Sequence, residues 1–399
     1  MSLFSNVQQA PPDAILGLTE QYKADTNPKK VNLGVGVYQD ATGKLPLLRC
    51  VEVAERRLAE EPKAKGYLAI DGLATYDQDV KELVFGQDSP VLAENRVVTV
   101  QALGGTGALK LGADFLRQVS PDAKVLISNP SWENHQALFT RAGFTVEKYR
   151  YYDAEAKGVD VDGMIADLEA ADAGTIVVLH ACCHNPTGYD ISTADWARVI
   201  DVVNDKKLTA FLDMAYQGFS QGIEEDGAVI RLFADSVPTF FVSTSFSKSF
   251  SLYGERVGAL SVVCTDADEA KRVLSQMKIV IRTNYSNPPT HGAALVETVL
   301  GDDELRAQWV TELGEMRDRI KSMRTALVDG LRAAGVEGMD YITDQVGMFS
   351  FSGLTKDQMV RLRNEFGVYG TDTGRICVAA LNPDNVGYVS EAIAAVKKG

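Results

Sequence analysis

An α/β domain on a mostly parallel, seven-stranded sheet flanked by helices, with a smaller α+β domain, is the fold class this sequence predicts. Three observations predict it. Between about residues 95 and 265, seven short β-rich runs alternate with helical patterns. Continuous apolar character within the runs, as in Thr175-Ile-Val-Val-Leu179, suits strands covered on both faces. Beyond about residue 300, the pattern becomes one long amphipathic repeat followed by shorter elements.

The first 45 residues match neither pattern and are punctuated by Pro11-Pro12 and Asn27-Pro28. They are expected to form an arm and part of the small domain. The seven strand candidates follow: Val97–Ala102, Lys124–Ser128, Thr145–Tyr149, Thr175–His180, Leu208–Asp213, Thr239–Thr244 and Val257–Cys264. Between two of them, Trp196, Val199, Ile200 and Val203 make the stripe of an amphipathic helix, and Ser192-Thr-Ala-Asp195 resembles a capping box. Leu305, Trp309, Leu313, Met316, Ile320, Met323 and Leu327 repeat every three or four residues, predicting one long helix stopped at Gly330. A βαβ-like remainder follows: Gly347–Phe351, a helix over about 356–366, Arg375–Ala379 and a helix from about 383. The expected division is 1–45 for the arm, 46–310 for a large domain and 311–399 for a small one.

Of 399 residues, 45% are hydrophobic and 24% charged, which excludes wholesale disorder. Forty basic against 54 acidic residues leave a net charge of −14. Such a chain repels phosphate backbones and anionic membranes, so neither nucleic acid nor membrane is an expected partner. A small anionic ligand stays possible, because a few local cations outweigh the global field at short range. Five scattered cysteines argue against a disulfide framework and for reduced thiols in a cytoplasm. No apolar run approaches the roughly 18 residues of a membrane helix. The first basic residue is Lys23, so a secretory signal is not expected.

Several segments could carry chemistry. Gly104-Gly-Thr-Gly107 stands between a strand and a helix (Ala108–Val119), where free N–H groups and the helix dipole make an anion site. It is not a dinucleotide fingerprint, because Lys110 occupies the third glycine position. In Ser245-Phe-Ser247-Lys248, with Arg256 eight residues on, the serines and the arginine can bind a phosphate. Lys248 can then form a Schiff base with an aldehyde held by that phosphate. Asp213 ends a strand, where open α/β sheets bind ligands, and can pair a protonated ring nitrogen; Tyr216 can reach a phenolic oxygen. Arg282 and Arg375 could each clamp a carboxylate. Each segment alone also has a plainer reading: a turn, a solvated lysine, an N-cap, a surface ion pair. His180-Ala-Cys-Cys-His184 invites a zinc reading, but adjacent cysteines in an extended strand face opposite ways, so no metal is expected. Asn129-Pro130 and Asn185-Pro186 are candidate cis bonds.

Taken in order, Asn129-Pro-Ser-Trp132, Cys183-His-Asn-Pro-Thr-Gly188, Asp213-Met-Ala-Tyr216, Ser245-x-Ser-Lys248 and Arg256 resemble the class I aminotransferases of pyridoxal-phosphate fold type I. The bacterial aspartate and aromatic-amino-acid enzymes are the nearest resemblance, and it covers almost the whole chain, from Asp13-Ala-Ile-Leu-Gly to Arg375. The resemblance implies pyridoxal 5'-phosphate as cofactor, with Lys248 as its covalent anchor and proton shuttle. It implies that Asp213 pairs the ring nitrogen, that Asn185 and Tyr216 hold the phenolic oxygen, and that Trp132 stacks on the ring. Gly105, Thr106, Ser245, Ser247 and Arg256 would bind the phosphate, joined by Tyr67 of a neighbouring subunit. Arg375, with Asn185 and the backbone at Gly36, would bind the substrate α-carboxylate. Arg282, again from the neighbour, would face a side-chain carboxylate. A homodimer with shared sites follows, acting on amino acids and 2-oxo acids.

Within that resemblance the substrate signals are mixed. Ser131-Trp-Glu-Asn-His135, Ser251-Leu-Tyr-Gly-Glu-Arg256, Ser261-Val-Val-Cys264 and Leu45 look like the aromatic branch, whereas Val37, Thr106 and Asn287 look like the aspartate branch. The expected reaction is therefore ping-pong transfer from phenylalanine, tyrosine and aspartate to 2-oxoglutarate. The alternatives are a strict aspartate aminotransferase, a lyase or decarboxylase with the same cofactor, and a ligand-sensing regulator.

Overall fold

Seven strands make the central sheet: β1 Val97–Leu103, β2 Lys124–Asn129, β3 Thr145–Arg150, β4 Ile176–His180, β5 Thr209–Met214, β6 Phe240–Ser245 and β7 Val257–Val263. Their spatial order is β1-β7-β6-β5-β4-β2-β3. β7 runs antiparallel to both its neighbours, and the other pairs are parallel. All seven predicted runs are present, with ends shifted by a residue or so. The computed structural model describes residues 2–11, 13 and 15–398. Pro12 and Ala14, which fall in segments quoted above, lie outside the described residues.

Every residue of β4, β6 and β7 is buried, including the polar Ser243, Thr244 and Ser245 that end β6. The edge strand β3 is mostly exposed and carries charged residues, which protects an open edge from mispairing. Helix Gly104–Val119 packs Ala108, Leu109, Leu111 and Phe115 into the core with Phe211 of β5 and Leu260 of β7. Gly112 is required there, because a Cβ would lie 2.5 Å from the Phe211 ring. Helix Thr193–Asp205 is capped as expected by Ser192, whose hydroxyl accepts the Asp195 N–H at 3.2 Å. The Asp195 carboxylate instead accepts the Ser192 hydroxyl at 2.6 Å, so the box is not reciprocal.

The chain divides into two compact units. One holds Leu45–Arg319 with Asp344–Gly347; the other holds the residues up to Lys44, Ile320–Thr343 and those from Met348 onward. In the smaller unit, Val31–Asn32 pairs in parallel with Val368–Tyr369. Phe349–Phe351 pairs with Arg375–Cys377 in antiparallel fashion, so the expected βαβ remainder is instead a hairpin-like pair with a helix, Lys356–Phe366, in its connection. Gly330 does not stop the long helix, which runs Asp303–Ala333. Its lack of a side chain serves packing: a Cβ there would lie 2.4 Å from Ser390 Oγ on helix Val386–Lys398.

Candidate active site

Asp213 lies near the carboxyl end of β5, buried to 5% exposure. A lone buried carboxylate would be expelled or neutralised, but this one is held by two donors. His135 Nε2 lies 2.9 Å from its Oδ2, and the Ser243 hydroxyl donates to its Oδ1 at 2.8 Å. Ser131 Oγ, 2.9 Å from His135 Nδ1, can donate there and leave the imidazole proton on Nε2, aimed at the carboxylate. Burial pushes Asp213 up, and the His135 hydrogen bond, the fields of His135 and His180 and the Ser243 hydrogen bond together more than reverse this, so the carboxyl sits below its usual range.

Lys248 follows the end of β6, and its Nζ stands 4.7 Å from the centre of the Tyr216 ring. Burial lowers its pKa to about 8, against the opposing pull of Asp213 and with a further push from Arg256. An amine so poised is a usable nucleophile near neutral pH. Gly105, Thr106, Trp132, Asn185, Asp213, Tyr216, Ser245, Ser247, Lys248 and Arg256 all line this one cavity. Ten of the residues picked from sequence thus converge.

One end of the cavity is built for an anion. The helix begins at Gly104 itself, so the glycine segment is its first turn rather than a preceding loop. Gly104 has φ +70°, and a Cβ there would lie 2.5 Å from an Arg256 nitrogen. Gly105 also approaches the Ser245 side chain, with a Cβ 3.0 Å away. Arg256 Nη1 donates to Ser247 Oγ at 3.2 Å and to the Tyr253 carbonyl at 3.0 Å. Free N–H groups, two hydroxyls and a guanidinium therefore share this end.

At the other end, Trp132 caps helix Glu133–Arg141 and meets His135 edge-on at 5.2 Å. Asn129-Pro130 and Asn185-Pro186 are both cis. His180 also lines the cavity, and neither of its ring nitrogens has a hydrogen-bond partner among the described residues. Burial, reinforced by His135, pulls it down to about 3, so it is neutral. His180 is an orphaned polar group facing the cavity. His135 and Ser243 were missed as partners of Asp213; the only local signal was Ser131 four residues before His135.

The remaining predicted residues lie elsewhere. Tyr67 is 96% exposed, and Arg282 is exposed on helix Ala267–Asn284 and donates to Ser286 Oγ. Neither reaches the cavity within one chain. Arg375 and Gly36 belong to the smaller unit. There Arg375 is buried, with Nη2 2.7 Å from the Gly34 carbonyl and its guanidinium 4.3 Å from the Phe349 ring centre. Gly36 packs on the same ring, which a Cβ would approach to 2.6 Å. Buried Arg324 fixes the strand beneath by donating to the Phe349 carbonyl at 2.8 Å.

One expectation fails on geometry. Cys182 and Cys183 do not face opposite ways, because Cys183 turns into the left-handed region at φ 51°. Both thiols lie within 4.8 Å of each other and of an Asp226 carboxylate oxygen.

The family described as Aminotransferase class I and II matches residues 28–393. The chain is 60% identical to an aspartate aminotransferase of Pseudomonas aeruginosa over 397 residues, covering 99% of this chain and all of that one. It is 62% identical to the crystal structure of an aromatic-amino-acid aminotransferase from Burkholderia pseudomallei covalently bound to pyridoxal phosphate, with TM-score 0.97 over 99% of this chain and 100% of that one. It also matches a psychrophilic aromatic amino acid aminotransferase from Psychrobacter sp. B6, cocrystallised with aspartic acid, at 46% identity, TM-score 0.96 and full coverage of both chains.

Proposed function

Since this chain belongs to the class I and II aminotransferase family, we propose that it moves the amino group of phenylalanine, tyrosine and aspartate to 2-oxoglutarate, using pyridoxal 5'-phosphate. The observation that carries this reading is the pairing, in one cavity, of a lysine of lowered pKa with an aspartate held anionic by His135 and Ser243.

The residues present fit the cofactor. The N–H groups at Gly105 and Thr106, the hydroxyls of Ser245 and Ser247 and the Arg256 guanidinium would take the phosphate. Asp213 would hold a proton on the ring nitrogen, Asn185 and Tyr216 would contact the phenolic oxygen, and Trp132 would cover one face. Orphaned His180 is consistent with a polar group occupying this space. When bound, pyridoxal phosphate supplies the electron sink that makes an amino acid's Cα–H bond ionisable and stores the amino group between half-reactions.

Lys248 Nζ then accepts the Cα proton and returns it to complete the transfer, acting as base and then acid. A positioned base of this kind is worth about 10²–10⁴-fold. Arg375 binds the α-carboxylate through its fork, with Gly36 as backbone neighbour. Two half-reactions sharing one site give ping-pong kinetics.

The functional unit is a homodimer with shared sites. Tyr67 and Arg282, exposed and outside the cavity of their own chain, serve the partner's cofactor phosphate and substrate side chain. A cytoplasmic setting is supported by five free cysteines, all buried. Among the described residues, no helix is long and apolar enough to cross a membrane.

The test is spectroscopic. Phenylalanine or aspartate should bleach the visible band of the loaded protein, and 2-oxoglutarate should restore it. A kcat/KM for phenylalanine more than about 10³-fold below that for aspartate, some 4 kcal/mol, would instead establish a strict aspartate enzyme.

A further inference from the structure

Just past β4, the chain makes a cluster that the transamination chemistry does not use. Cys182 Sγ, Cys183 Sγ and a carboxylate oxygen of Asp226 lie within 4.8 Å of one another. A third sulfur adjoins them: the Cys182 thiol is 3.5 Å from Met214 Sδ. All four side chains are buried. Cys182 and Asp226 also line a second cavity, of about 400 Å³, which shares no lining residue with the one holding Lys248.

We propose that Cys182 and Cys183, assisted by the Met214 thioether and the Asp226 carboxylate, bind one soft d¹⁰ cation of the Cu⁺, Ag⁺, Cd²⁺ or Hg²⁺ class, which enters through this second cavity.

The donor set selects the ion. Two thiols and a thioether favour soft cations, whereas Mg²⁺ and Ca²⁺ need several oxygens. Nearby Asp190 is engaged by the N–H groups of Cys183 at 2.8 Å and His184 at 2.9 Å, and the Asp226 carboxylate already accepts the N–H groups of Gly218 at 2.8 Å, Ser220 at 3.0 Å and Gln221 at 2.9 Å. Those bonds hold the carboxylate in place and leave it a weak supplementary ligand. Spacing agrees. A metal–thiolate bond of ~2.3 Å puts two sulfurs roughly 4.6 Å apart across a linear ion and closer across a tetrahedral one. The left-handed turn at Cys183 is what brings the thiols to one side.

The thiols must lose their protons. The Cys183 hydrogen bond favours the Cys182 thiolate, but burial and nearby carboxylates carry that thiol up to about 12; burial first of all raises Cys183 as well. One divalent cation therefore replaces two S–H protons, releasing two H⁺, and affinity rises with pH. Occupancy also reaches the first cavity. Met214 follows Asp213 on β5, and Cys183 Sγ contacts the Tyr216 carbonyl at 3.7 Å. Gathering the sulfurs around an ion strains the supports of both residues, so occupancy should inhibit. That consequence rests on the proposed function; the binding does not.

The experiment titrates the cofactor-loaded protein with Cd²⁺, reading bound metal by equilibrium dialysis, sulfur-to-metal absorbance in the ultraviolet, and proton release. One Cd²⁺ per chain with two protons released is expected, with Mg²⁺ giving no signal. The Cys182→Ser, Cys183→Ser double variant should lose the site, whereas Cys50→Ser, Cys264→Ser, Cys377→Ser together should keep it. Met214→Leu, a volume-conserving change, should weaken binding at least ~10-fold. Failure of the parent protein to take up Cd²⁺ stoichiometrically would overturn the proposal. So would uptake that survives loss of both thiols. If the double variant does not fold, unchanged binding in Met214→Leu together with loss in the triple variant overturns it equally.

Discussion

His135 Nε2 sits 2.9 Å from Asp213 Oδ2, and Ser131 Oγ sits 2.9 Å from the other ring nitrogen, so the imidazole can be fixed as a donor to the carboxylate. The arrangement makes Asp213 a stable anion in a place where burial alone would protonate it.

His135→Ala removes that donor and leaves Asp213 Oδ2 buried without its imidazole partner. The expected cost is about 1–3 kcal/mol of stability in the cofactor-free protein, measured by urea unfolding. A carboxyl depressed on folding stabilises at neutral pH, and its contribution fades as pH falls through the folded pKa. In His135→Ala that pKa rises toward or past its unfolded value, so this contribution should shrink or reverse, and the variant's stability should fall less steeply as pH drops. An unchanged acid limb in the variant would contradict this role for His135.

Asp213→Asn keeps the shape and removes the charge. Cofactor affinity should drop, and single-turnover loss of the substrate Cα proton should slow about 10²–10³-fold, the usual scale for removing one preorganised electrostatic partner. Equal rates for variant and parent would separate Asp213 from the chemistry.

Lys248 has a pKa near 8 in the protein without cofactor. Reductive labelling of that amine by a small aldehyde and borohydride should rise about tenfold per pH unit below 8 and level off above it, because only the neutral amine attacks. Peptide mapping identifies the site. Lys248→Ala should lose the label and more than the 10²–10⁴-fold expected of a base alone, since the covalent anchor goes too.

Gly104→Ala tests the anion end. A Cβ would strike the Arg256 guanidinium from a backbone at φ +70°, a region costly for alanine. Losing one charge-assisted bond of about 1.5–3 kcal/mol should weaken pyridoxal phosphate roughly 10–100-fold. Pyridoxal, which lacks the phosphate, should bind the variant and the parent alike; a matching loss for pyridoxal would point to general damage.

The legible parts of this molecule were those written locally. Asp213 stands near and Lys248 just past a strand's end, and Arg256 stands just before the next strand begins, where side-chain chemistry and position coincide. The buried strands announce themselves as apolar runs. His135 was illegible because it meets Asp213 across 78 residues of chain, a relation that no local pattern encodes. Cys183 misled because a left-handed backbone at a non-glycine residue has no sequence signature. Gly330 misled because glycine serves both as a helix stop and as a close-packing residue, and only Ser390 opposite tells which. The pairing direction of Phe349–Phe351 and Arg375–Cys377 was undetermined because strands of three residues carry no sign of it.

In the proposed function, Arg282 is the residue that separates the two substrate classes. It is exposed on its own chain, and the proposed dimer places it at the partner's substrate side chain. A carboxylate there gains a charge-assisted, two-pronged hydrogen bond, whereas an aromatic ring gains nothing from the charge. Arg282→Leu should therefore cut kcat/KM for aspartate about 10–100-fold and leave phenylalanine within about threefold, the equivalent of 1.5–3 kcal/mol lost on one substrate alone. Hybrid dimers carry the argument further. A subunit with Lys248→Ala supplies an intact Arg282, and a subunit with Arg282→Leu supplies an intact Lys248. Mixed, they form one complete site per dimer, so the hybrid should recover about half the parental activity toward aspartate. A hybrid no more active toward aspartate than the average of its two parents would mean that Arg282 serves its own chain or none.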